Sequence, residues 1–161
     1  MTAPATRLRV DARRTTLTTE PASSVSLELG YQSVAETFFR HDPPTPGELE
    51  LAIEAIEDAL MSARAQKADT GTLVTSDDIR RLIPGLRSDG ATTTLEEVEA
   101  RFQQLASVSL GLPASRLDMP LGRVSAAALL ILRECMHHIG FEGLVLEQLE
   151  FPSDASPRRP S

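Results

Sequence analysis

Glu134, Cys135, His137 and His138 stand close together in the stretch ECMHHIG, Glu134 to Gly140. These residue types bind metals, activate nucleophiles and move protons near neutral pH. The stretch holds the only cysteine of the chain and two of its three histidines. Spacing decides what they can do together. On a helix, Val124, Ala128, Ile131, Cys135 and His138 fall on one face. Cys135 is therefore expected in the core, where a free thiol behaves as a small hydrophobe. His138 lies at the edge of that face, and Arg133, Glu134 and His137 lie on the more polar side. Cys135 and His138 supply two ligands, whereas a closed zinc site needs four. A nucleophilic thiol needs an accessible, electropositive setting, which an apolar face does not offer. The preferred reading is a helix end with a packed cysteine and a surface histidine.

A second reading uses Glu134 and His137 as metal ligands. They form Glu-x-x-His, a pattern that ferritin-like sites carry on two helices, with one further Glu from each of two others. This chain has one copy. A homodimer would supply the second, with Glu54 or Glu57 as extra ligands. Such ligands project into a bundle core, and the polar side of a helix is the wrong place for them. The main expectation is therefore no metal and no cofactor.

Other chemistry is sparse. Glu48 to Asp58 is acidic enough to pair carboxylates, but nothing there supplies a low-dielectric setting, so a solvated face is expected. His41 sits in a Pro-rich corner beside Arg40 and Asp42. Anion binding at the following helix N-terminus is countered by Asp42 and Glu48. Arg80, Arg81 and Arg87 form the internal basic cluster, offset by Asp77, Asp78 and Asp89. No Walker A loop, Gly-x-Gly-x-x-Gly, Gly-x-Ser-x-Gly or His-Glu-x-x-His is present.

The elements that must position these residues are mainly helices. Thr45, Pro46 and Glu48 form a capping box with proline at the first helical position. Leu49, Ala52, Ile53, Ile56, Leu60 and Ala63 follow as one stripe. A second helix starts at Thr93 or Thr94, with Leu95, Val98, Phe102, Leu105 and Ala106 as its stripe and Gly111 at its end. The third spans GRVSAAALLILRECMHHIG. It is apolar without a break from 126 to 132, so it is expected at the centre of the fold. LVTSDDIRRLIPGL reads as a short extended piece and a short helix. SVSLELGY alternates like a half-buried strand, and EGLVLEQLEF reads as another. The expected fold is a helix-dominated α+β domain with three long helices and a few short strands. A mostly α-helical bundle is the alternative. Residues 1–22 are expected as a flexible tail, 23–151 as one globular domain and 152–161 as a second tail.

Composition bounds the rest. The chain has 161 residues, 41% hydrophobic and 24% charged, which suits one globular domain. Aromatics make up 4%, so platforms for stacking bases are scarce. The net charge of −7 disfavours nucleic acid and anionic membranes. No apolar run is long enough to span a bilayer, and the first residues lack the apolar core of a secretory signal. Basic residues are almost all arginine, a bias of GC-rich bacterial genomes. The expectation is a cytoplasmic, non-enzymatic interaction protein acting through helix surfaces, with a protein partner or self-association. The alternative is a small metal- or ligand-binding protein or enzyme using Glu134 and His137.

Overall fold

The computed structural model describes residues 5–19, 23–63, 72–88, 90–113 and 122–147. In chain order the elements are β1 (Thr6–Val10), β2 (Thr15–Thr19), β3 (Ser23–Leu27), α1 (Tyr31–Phe38), α2 (Pro46–Ser62), β4 (Thr72–Ser76), a 3₁₀ turn (Asp77–Arg81), β5 (Thr92–Thr94), α3 (Leu95–Ser109), α4 (Arg123–Ile139) and β6 (Gly143–Glu147). The strands form one six-stranded sheet in the order β3-β2-β1-β4-β6-β5. β1, β2 and β3 make an antiparallel meander, while β1, β4 and β6 run parallel. β5 closes the far edge antiparallel to β6.

This overturns the helix-dominated α+β expectation and the helical-bundle alternative. The architecture is a mixed α/β sheet covered by helices. The reason lies in the strands. Each is five residues or fewer, so none carries a long apolar run, and β2, β3, β4 and β5 are rich in threonine or serine. Residues 6–19, inside the segment expected as a tail, form β1 and β2, and β1 is one of the two central strands. Alternation nevertheless holds in them. Thr6, Leu8, Thr15 and Leu17 are buried, and Arg7, Arg9 and Thr18 between them are exposed. The last strand read from EGLVLEQLEF is observed over Gly143–Glu147, and the expected C-terminal tail lies outside the described residues.

The helices follow their local signals. Thr45 and Glu48 form the expected capping box on α2, with Pro46 in its first turn. Thr94 and Glu97 do the same for α3. Gly140 ends α4 in the left-handed conformation, φ 94°. The apolar run of α4 is central as expected. α1, α2 and α3 all pack on it, and residues 126–132 are all buried. One core joins Leu8, Leu17, Leu27, Leu73, Leu144 and Leu146 of the sheet to the aliphatic residues of α4. The opposite sheet face carries Arg7, Arg9, Thr16, Thr18, Val74 and Val145, and it lines an open hollow.

Candidate functional site

That open face is the floor of a hollow of about 1700 Å³. Its construction follows from strand register. Arg7 and Arg9 alternate with buried Leu8 on β1, and Thr18 and Thr16 stand opposite them on β2. Val74 is in register with Val145, and Ser76 with Glu147, so β4 and β6 present matching pairs to the same side. The three parallel strands end side by side. In open sheets of this kind, ligands bind outside the carboxyl ends of parallel strands. Here those ends lead into the Asp11–Arg14 turn after β1 and the 3₁₀ turn after β4. Asp11, Arg14, Asp78 and Arg81 thereby reach the rim of the hollow.

The turn after β1 is held from beneath. The backbone N–H groups of Tyr31, Gln32 and Ser33, at the start of α1, donate to the carbonyls of Asp11 and Ala12 over 2.8–3.1 Å. Gly30 makes this approach possible, because a Cβ there would sit 2.1 Å from the Asp11 carbonyl oxygen. The first turn of α1 and the rim of the hollow are thus one rigid unit.

Four arginines face three carboxylates in the hollow. Arg7 is paired with Glu147 across the intervening strand β4, and Arg9 with Asp11 at 3.1 Å. Arg14 reaches out to Glu28 at 3.3 Å. Asp78 and Arg81 make no ion pair among the described residues. On a chain of net charge −7, this face is a local reversal of sign. Arginine forks and hydroxyl donors suit phosphate oxygens, which take bidentate charge-assisted hydrogen bonds.

Of the residues singled out by sequence, Arg81 and Asp78 line the hollow, while those of ECMHHIG and His41 lie elsewhere. Cys135 is fully buried, and burial pushes its thiol up to about 12, far from a reactive thiolate. Glu134 is also buried, contrary to its expected place on a polar side. It accepts a hydrogen bond from Arg133 at 3.0 Å. Arg133 in turn binds Glu99 at 2.9 Å and lies over the Phe102 ring, 3.9 Å from its centroid. Loss of hydration raises the Glu134 pKa more than Arg133 lowers it. His137 is exposed and His138 half-buried. Among the described residues no three His, Cys, Asp or Glu side chains group as a metal site, and Glu134 and His137 do not line the hollow. His41 is an exposed corner residue whose Nδ1 lies 3.2 Å from Glu48. Glu48 accepts from the Thr45 and Arg40 backbone N–H groups and is held down to about 2. Arg7 and Arg9 lie within residues 1–22, the segment expected as a tail. Their signal was present in the alternation of Arg7 and Arg9 with Leu8 and Val10.

The fold is similar to that of solved Ppx/GppA proteins. The Ppx/GppA enzyme of Aquifex aeolicus matches with a TM-score of 0.71 at 20% identity, over 91% of this chain and 54% of the other. An exopolyphosphatase-like protein matches at TM-score 0.67 and 15% identity, over 90% of this chain and 56% of the other. An exopolyphosphatase from Cytophaga hutchinsonii matches at 0.59 and 12%, over 89% of this chain and 53% of the other. The chain thus spans about half the length of the structures it matches. Comparison with protein-family models gives no match, and comparison with curated proteins gives none. Two findings overturn the expectation of a non-enzymatic protein acting through helix surfaces. The apolar run of α4 is consumed by the chain's own core, and the structural neighbours are phosphatases. No helix among the described residues is long and apolar enough to cross a membrane.

Proposed function

We propose that this chain is one lobe of a phosphate-releasing hydrolase, with the open sheet face as the wall that holds a polyphosphate-like anion. The observation that carries the reading is the gathering of arginines and hydroxyls at the carboxyl ends of three parallel strands, on an otherwise acidic chain. In this reading Arg81, which makes no ion pair among the described residues, is the primary anchor for a terminal phosphoryl group. Arg9 and Arg14 bind the following phosphates by exchanging carboxylate partners for phosphate oxygens. Thr16, Thr18 and Ser76 donate hydroxyl hydrogen bonds. Asp78, at the same rim, orients the attacking water and takes its proton. Water oxygen bonds to the terminal phosphorus, the bridging P–O bond breaks, and its electron pair leaves on the shortened chain. A cytoplasmic location belongs to the same proposal, and the single buried thiol suits a reducing compartment.

Calorimetry with tripolyphosphate, run beside an assay for released inorganic phosphate, tests the reading. The wild-type chain is expected to bind, and Arg81→Ala to weaken binding tenfold or more, about 1.4 kcal/mol. Asp78→Asn should keep binding and lose phosphate release. Heat-free titrations with the wild-type chain would sink the proposal.

A further inference from the structure

We propose that Thr75 is a positioning residue for the anion site, setting through one buried hydrogen bond the distance between the two walls that carry its arginines. The inference rests on the proposed phosphate site, but the geometry that carries it lies in the sheet. β1 and β4 run side by side through the pairs Thr6 with Leu73, Arg7 with Val74 and Leu8 with Thr75. There they part. β1 continues to Val10 along β2 and leads into the turn that holds Asp11 and Arg14. β4 ends at Ser76 and passes into the 3₁₀ turn that holds Asp78 and Arg81. The mouth of the hollow is thus a fork in the sheet, with Arg9 on one prong and Arg81 on the other.

Thr75 stands at the root of the fork and is buried. Leu73 beside it on β4, and Leu144 and Leu146 in register on β6, are buried leucines. A hydroxyl in such surroundings needs a partner, and that of Thr75 donates to the Leu8 carbonyl at 2.7 Å. The bond takes hold one residue before Arg9 on β1 and three before Asp78 on the other prong. Between Thr75 and Asp78, the Ser76 hydroxyl accepts from the Asp78 backbone N–H at 3.5 Å, so little chain is left to absorb a shift. The turn after β1 is fixed to the start of α1, and the Thr15 hydroxyl adds a bond to the Leu29 carbonyl at 2.9 Å. Those bonds do not reach the β4 side, whereas the Thr75 hydroxyl joins the two prongs. A valine there would fill the same space and leave the Leu8 carbonyl without this donor. An anion gripped by Arg81 on one prong and Arg9 on the other is sensitive to a displacement of about 1 Å between them.

Tripolyphosphate calorimetry on Thr75→Val, Thr75→Ala and Thr75→Ser tests this, with circular dichroism to confirm folding. The valine and alanine variants should raise the dissociation constant about tenfold. The serine variant keeps the hydroxyl and should stay within about twofold of the wild type. Thr93→Val is the control, because Thr93 is equally buried and its hydroxyl accepts from the Arg87 backbone N–H. It should leave binding unchanged. Amide hydrogen exchange by NMR reads the fork without any anion. Thr75→Val should speed exchange at Asp11 and Leu82, whose N–H groups close the two rim turns, and spare Leu95 and Leu110. Wild-type affinity in the valine and alanine variants would overturn the inference. So would an equal loss in Thr93→Val, or a serine variant as weak as the valine one. A wild-type chain that binds no tripolyphosphate would remove the phosphate reading alone. Hydrogen exchange would then decide the role of Thr75, and unchanged rates at Asp11 and Leu82 would overturn it.

Discussion

Glu134 is the only charged side chain that is buried among the described residues. It is held by one arginine that also serves Glu99, with Glu57 close enough to add repulsion. Burial disfavours its ionised form, so its pKa is raised above the ordinary carboxylate value. Such a group keeps its proton longer in the folded chain than in the unfolded one. Its contribution to stability is full below the ordinary value and declines as pH rises through that value toward the raised one. Glu134→Gln keeps an acceptor for Arg133 and removes the charge. Urea denaturation between pH 4 and pH 8 should therefore show the wild type losing stability relative to the variant as pH rises. Parallel curves would mean that Arg133 fully compensates the burial. Arg133 reaches Glu99 of α3 and lies over the Phe102 ring, so this side of α4 is packed against α3.

At the level of elements, the junction between α1 and the turn after β1 sets where the rim of the hollow stands. A methyl group at Gly30 would meet backbone, at 2.1 Å from Asp11 oxygen and 2.6 Å from Ala12 carbon, and backbone cannot swing aside as a side chain does. Gly30→Ala should cost about 1–3 kcal/mol and weaken tripolyphosphate binding by moving Asp11 and Arg14. Gly47→Ala is the control, since a Cβ there meets nothing within 4 Å. Its stability should change by less than about 0.5 kcal/mol. A Gly30 variant that matched this control in stability and binding would show the turn to be loosely held. The helices were legible because their signals are local: Thr45 with Glu48, Leu49 through Leu60, Gly140. Of the strands, β3, β4 and β6 were legible as extended pieces, but β1, β2 and their pairing were not. β1 finds β4 across more than sixty residues, and Arg7, Arg9 and the threonines of β2 look like tail composition until that pairing buries Leu8 and Leu17. The site was illegible for the same reason, because its arginines come together only when β1, β4 and β6 align.

Over the whole molecule, sheet and helices share one core rather than two. Leu8, Leu17 and Leu27 of the meander belong to the same cluster as Ile56 of α2, Leu105 of α3 and the apolar run of α4. The meander β1-β2-β3 has short polar strands, and the open face of β1 and β2 lines the hollow. It is not expected to stay folded once α4 leaves, because its buried leucines share one core with the apolar run of that helix. Unfolding should then be a single transition. The chain offers two independent reporters, because it has no tryptophan and one tyrosine. Tyr31 opens α1 at the turn that lines the hollow, so its fluorescence follows the meander and the rim. Far-UV circular dichroism follows α2, α3 and α4. In urea the two curves should superimpose, with one midpoint and a slope of about 1–3 kcal/mol per molar. A tyrosine transition at lower urea than the helical one would mean that the meander detaches first. The wall of the hollow would then be a separately ordered unit, and a bound anion should bring the two midpoints back together.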